Sequence, residues 1–200
     1  MFRISTKTLA RTGALAVAVF ATGSAFAHPG HPGSMMSFGA GFSHPFSGID
    51  HLLAMLAVGL WAAQNKRSAL WMLPLAFPLM MVVGALLAFN GLNLPSVETG
   101  IAASVAVLGL LIAFAVRLPL WASTAVVSVF AVFHGYAHGS ELPHGSSAAL
   151  YGAGFILATA LLHATGLIVG VVAGKQMADR VVRIAGAGIA GVGAYLLTTA

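Results

Sequence analysis

The sequence predicts an all-α membrane protein, one bundle of six transmembrane helices behind a cleaved N-terminal signal peptide. Three observations predict it. The 200-residue chain is 59% hydrophobic and 6% charged, with a mean hydropathy of +0.96, which is far from the make-up of a soluble domain. Beyond the N-terminal segment, a series of apolar stretches follows, each near the ~20 residues that carry a helix across a ~30 Å hydrocarbon core. The basic residues between those stretches fall in alternate loops, as they do where short loops hold Lys and Arg on one side of a membrane.

Residues 1–27 read as the signal. Arg3, Lys7 and Arg11 form a positive start, Gly13 to Phe20 an apolar core too short to span, and Ala25 to Ala27 a small-residue cleavage site ahead of His28. Removing these three cations leaves six of the nine basic residues against four acidic ones. The sequence pI of 10.3 is therefore no sign of a basic patch for phosphates, and nucleic acid is excluded as a partner. The chain has no cysteine, so disulfides, thiolate ligands and thiol catalysis are excluded together.

Residues 28–200 form the second unit, a single transmembrane domain with spans expected at about 48–64, 68–90, 96–116, 119–139, 148–173 and 178–199. With a periplasmic mature N-terminus, the intervening loops place Lys66, Arg67, Arg117, Lys175, Arg180 and Arg183 all in the cytoplasm. The C-terminus then returns to the periplasm, and the protein is expected in a bacterial inner membrane with the bilayer as its surroundings. Pro74 and Pro78 are expected to kink the second span. Gly166, Gly170 and Gly174 in the fifth, and Gly186, Gly188, Gly191 and Gly193 in the sixth, suit close helix packing.

The same topology sorts the side chains able to bind a metal. His28, His31 and His44 fall in the exported segment, Asp50 and His51 at the outer mouth of the first span, and Glu98 at the outer end of the third. His134, His138, Glu141 and His144 gather at the outer end of the fourth span, and His163 alone lies deep within a helix. At ~100° per residue, positions four and seven apart return to one helix face within about 40°. His134, His138 and Glu141 therefore form one stripe, while His51 and Met55 share a face with Asp50 about 100° around the helix. Charges at membrane depth are costly and mark ion pathways. Imidazole and carboxylate without thiolate suit a borderline divalent cation such as nickel, cobalt or zinc.

Other readings are weaker. Met55 fits as core filler, His163 as either a hydrogen-bonding helix contact or a step on an ion path, and His144, between Pro143 and Gly145, as a loop residue. Lys175 lacks the Gly-rich loop of a nucleotide site. Ser47 in "FSG" lacks a nucleophile-elbow context, which leaves an intramembrane serine hydrolase as a remote alternative, and His134 and His138 lie on one helix, which disfavours haem. A membrane-bound metal chaperone or sensor uses the same residues without flux.

"HPFSGIDHLLAMLAVGLWA", starting at His44, and "FHGYAHGSE", Phe133 to Glu141, resemble the two signature motifs of the HupE/UreJ family of nickel and cobalt permeases. The resemblance extends over essentially the whole chain, including the signal and the His-rich start "HPGH" at His28. It implies six spans and no enzymatic activity or resident cofactor. The cargo it implies is a divalent metal, nickel before cobalt, carried inward for hydrogenase or urease maturation or cobalamin synthesis, with metal-delivery proteins as expected partners on either side. It also implies that His44, Asp50 and His51 of the first motif, and His134, His138 and Glu141 of the second, are functionally required. His28 and His31 are expected to collect the ion loosely, because Pro29 denies the amide nitrogen that a tighter N-terminal chelate needs. That collection should weaken as pH falls and imidazole is protonated.

Overall fold

A computed structural model describes residues 34–65, 67–142, 145–173 and 178–200, with backbone alone at 34–36, 173 and 178. The signal segment, His28, His31, His144, Lys66, Gly174 and Lys175 lie outside the described residues. Within them the chain is helical: α1 (Ser34–Ser43), a 3-10 turn (His44–Phe46), α2 (Ile49–Gln64), α3 (Ala69–Phe89), α4 (Val97–Ala113), α5 (Leu120–Ser140), α6 (Ala148–Ala173) and α7 (Ala178–Leu196).

Each of the six expected stretches is thus a helix, but not each is a span by length and composition. α3, α5 and α6 are long and apolar enough to cross a membrane, and α1 with α2 adds a fourth candidate if that pair, bent by 78°, is taken as one broken span. α4 has only 17 residues. α7 carries Asp179, Arg180 and Arg183 in its opening turns. Much of the outer surface is nonetheless apolar, with Trp71, Phe114, Trp121, Val172 and Ile184 largely exposed, as a bilayer-facing surface requires.

α1 is an addition to what hydropathy predicts. It is a short helix of small residues and phenylalanines, with Phe38, Phe42 and Phe46 in contact along one side, and it lies along the start of α6, where Gly41 and Gly154 let the backbones meet. Pro45 ends it in the 3-10 turn and Gly48 adopts an extended conformation before α2 begins. The chain therefore turns a corner at "HPFSG", and the corner brings His44 back over the first turn of α2.

The helices then associate in pairs, α3 with α5, α2 with α6 and α4 with α7. Each pair has glycines on both members. A Cβ on Gly59 would strike the His163 backbone, one on Gly166 the Leu56 backbone, and Gly84 and Gly135 are related in the same way across α3 and α5. Without a side chain at these positions the backbones approach closely, which is how helices pack when hydrophobic force between them is weak. Replacing Gly135 with valine is expected to separate α3 from α5, since the added atoms meet the Met81 backbone rather than a movable side chain. Overpacking costs ~1–3 kcal/mol or more, so a lowered melting temperature and a loss of monodisperse detergent-solubilised protein check this. An unchanged melting temperature would contradict it.

α3 runs through Pro74 and Pro78 without interruption. Pro78 offers no N–H, so the carbonyl of Pro74 has no helical donor. At the far end of the bundle from the histidines, Trp61 Nε1 donates to the Val116 carbonyl at 2.9 Å and Arg183 Nε to the Ala113 carbonyl at 2.8 Å. The described basic residues Arg67, Arg117, Arg180 and Arg183 therefore lie at that end, and the carboxylates of Asp50, Glu98 and Glu141 at the other.

Candidate metal centre

Two corners of the chain build the site. At the first, the 3-10 turn and the N-terminus of α2 present His44, Asp50 and His51. At the second, the last turns of α5 present His134 and His138, with Glu141 at the C-cap just beyond the helix. The expected 134/138/141 stripe thus has its third member past the helix end, still on the same side.

The rings of the two corners meet. His44 and His138 have centroids 4.6 Å apart, His51 and His138 4.6 Å, and His51 and His134 4.9 Å. His44, His138 and Glu141 each offer a ligand atom, and these atoms lie within 4.8 Å of one another. Burial deepens inward: Glu141 is exposed, His44 half-buried, and His138, His51 and His134 are 6%, 8% and 0% exposed. The Phe155 centroid lies 4.1 Å from that of His138, tilted by 49°, and Phe77 lies 5.5 Å from His134, so the deeper imidazoles are walled by aromatic rings.

Hydrogen bonds assign the free lone pairs. Asp50 Oδ1 accepts from the His51 backbone N–H at 2.7 Å and from its Nδ1 at 2.8 Å. In the neutral ring this leaves Nε2 unprotonated. Ser104, fully buried on α4, donates its one hydroxyl proton to the Ile101 carbonyl at 2.6 Å, so toward His134 Nε2, 3.0 Å away, it accepts. His134 therefore carries its proton on Nε2 and its lone pair on Nδ1. Those two lone-pair atoms, His51 Nε2 and His134 Nδ1, together with both nitrogens of His138, are buried without a hydrogen-bond partner. Leaving such an atom unpaired costs ~1–3 kcal/mol.

Each expected site residue within the described chain is accounted for. His44, His51, His134, His138 and Glu141 converge. Asp50 is present but commits Oδ1 to His51, in the manner of a carboxylate that orients a ligating imidazole. Its side chain also borders a small pocket shared with Glu98, Ala102 and Thr199. Ser104 carries no signal in the sequence, because one serine in an apolar helix forms no motif. Met55 is fully buried and accepts from Thr159 Oγ1 at 3.4 Å. Ser47 is exposed and its hydroxyl donates to the Ser43 carbonyl at 3.3 Å.

A sequence model of the family described as HupE / UreJ protein matches residues 15–196. Protein HupE of Rhizobium leguminosarum bv. viciae is 47% identical over 158 residues, covering 79% of this chain and 83% of that protein. No solved structure matches the chain.

Proposed function

This chain belongs to the HupE/UreJ family, and on that premise we propose that it is a secondary permease carrying a divalent transition metal, nickel before cobalt, from periplasm to cytoplasm. The metal would supply hydrogenase or urease maturation or cobalamin synthesis, the protein lying in the inner membrane with both termini periplasmic and with metal-delivery proteins as partners. One observation carries the reading: four buried imidazole nitrogens on His51, His134 and His138 have no hydrogen-bond partner, beside His44 and Glu141. Unpaired lone pairs on neutral rings are metal ligands in waiting, and a set without thiolate suits nickel and cobalt.

The graded burial supports passage rather than storage. Exposed Glu141 and half-buried His44 meet the hydrated ion first and, with His138, take over part of its water shell. His138 also touches His51, so the ion moves inward by exchanging ligands one at a time. No ligand set need hold it tightly, and transit requires that binding stay weak enough to release. An inside-negative potential favours entry of a dication by ~4.6 kcal/mol per 100 mV, twice the single-charge value, so the proposal requires no ATP.

Radioactive nickel uptake into proteoliposomes tests the reading. Time-dependent accumulation that rises with an inside-negative potential and is competed by cobalt is expected. Saturable binding without accumulation would overturn it in favour of a chaperone or sensor. Within this reading, Ser104→Ala removes the acceptor that fixes the His134 tautomer, and loss of such a supporting contact lowers metal affinity by ~10–100-fold. Calorimetric nickel titration of the purified variant checks it, and an unchanged affinity would remove Ser104 from the site.

A further inference from the structure

His163 belongs to neither corner. It sits midway along α6, 1% exposed, about two turns beyond Phe155, whose ring lies against His138. The Phe77 centroid is 5.5 Å from His134 and 5.3 Å from His163. Neither ring nitrogen of His163 completes a hydrogen bond. His138 of the outer centre is likewise unpaired, whereas His134 pairs with Ser104, and Trp61 with the Val116 carbonyl. A histidine whose role was to brace two helices would show a bond of that kind.

Its surroundings hold neutral donors. The Pro74 carbonyl, deprived of its helical partner by Pro78, lies beside the ring. One turn earlier on α6, Thr159 is fully buried with its hydroxyl on Met55 Sδ, and Met55 lies one turn beyond His51 on α2. Buried polar atoms therefore continue from His51 and His134 through Met55 and Thr159 to His163 and the Pro74 carbonyl. A backbone carbonyl released from its helical partner is free to coordinate an ion, as unwound carbonyls do in the broken helices of transporters.

We infer that His163 and the Pro74 carbonyl form a second, inner station for the divalent cation, a site that rests on the permease reading and extends it deeper along α6. With an imidazole and a neutral carbonyl in place of a carboxylate, the station binds more weakly than the outer centre. Weak binding suits an ion on its way out.

The test uses the full-length protein, with nickel as the probe, and the variants His163→Gln and His163→Phe. Glutamine keeps a donor for the Pro74 carbonyl but loses the imidazole, whereas phenylalanine loses both. Equilibrium nickel binding in detergent and potential-driven uptake in proteoliposomes are measured for each. The expected result is that both variants keep the high-affinity outer binding, lose one weakly bound nickel equivalent, and lose flux by about tenfold or more, a barrier change of ~1.4 kcal/mol. Should the phenylalanine variant fail to fold, as loss of outer binding would reveal, the glutamine variant decides alone. Wild-type flux in His163→Gln, or a nickel stoichiometry equal to wild type, overturns the station. If the wild type itself binds nickel without flux, the permease reading falls, and the lost equivalent still decides whether His163 binds metal.

Discussion

Replacing His138 with leucine is expected to abolish nickel uptake at every nickel concentration while leaving the metal-free protein as stable as the wild type, or more so. His138 lies 4.6 Å from both His44 and His51, whose own rings are 6.0 Å apart, so its loss removes the closest link between the outer group and the inner one. Raising the nickel concentration cannot restore a missing step in the exchange. The stability half follows from the same geometry. Both nitrogens of His138 are buried without partners, each costing ~1–3 kcal/mol, and Phe155 and an apolar groove beside α3 and α6 already line the space. Leucine fits that environment without leaving an unpaired atom. Thermal unfolding in chelator together with an uptake curve checks both halves. A variant that lost uptake and also unfolded at markedly lower temperature would mean that His138 holds the helices together rather than the ion.

Hydropathy found α2 to α7 because each is an apolar run broken by Pro, Gly, Asn or a basic residue, and those breaks are chemical facts of the sequence. It did not find α1, since "SMMSFGAGFS" is too short and too rich in small residues to register as a span. Its helical signal is only the recurrence of phenylalanine at 38, 42 and 46. Nor does an apolar run show where a helix ends. α4 stops at Ala113 and α7 opens on Asp179 and Arg180, so among the described residues three helices are long and apolar enough to cross a membrane, with a bent pair as a fourth candidate.

The site was legible in the same partial way. Helical spacing places His134 above His138, and motif order places His44 near His51, but neither says that the two corners face each other. That depends on Gly135 letting α5 lie against α3, and on the turn at Pro45 and Gly48, which swings His44 back over α2. Residue type makes Asp50 a candidate ligand, and the contact of its Oδ1 with the His51 ring is visible only in the folded chain. Ser104 was beyond reach from sequence, because its role lies in a proton count that needs the Ile101 carbonyl and the His134 ring together.

Asp50→Asn separates the two things the carboxylate does. Asparagine Oδ1 can still accept from the His51 backbone and from Nδ1, as Asp50 does at 2.7 and 2.8 Å, so the ring keeps its tautomer and presents Nε2. What disappears is the negative charge, which makes the imidazole a better donor and offsets part of the ion's own charge where water is being removed. The expected consequence is a half-saturating nickel concentration raised by ~10–100-fold, the range found when groups behind a metal ligand are changed. Uptake then vanishes at limiting nickel and recovers in part when nickel is raised. Asp50→Ala loses the acceptor as well, and with it the partner of the first-turn amide of α2 and the fixed ring of His51. It is expected to show no uptake at any concentration. Uptake measured against nickel concentration for both variants tells the effects apart: normal half-saturation in the asparagine variant would show that the charge is unused, and identical curves for the two variants would show that holding the His51 ring contributes nothing beyond the charge.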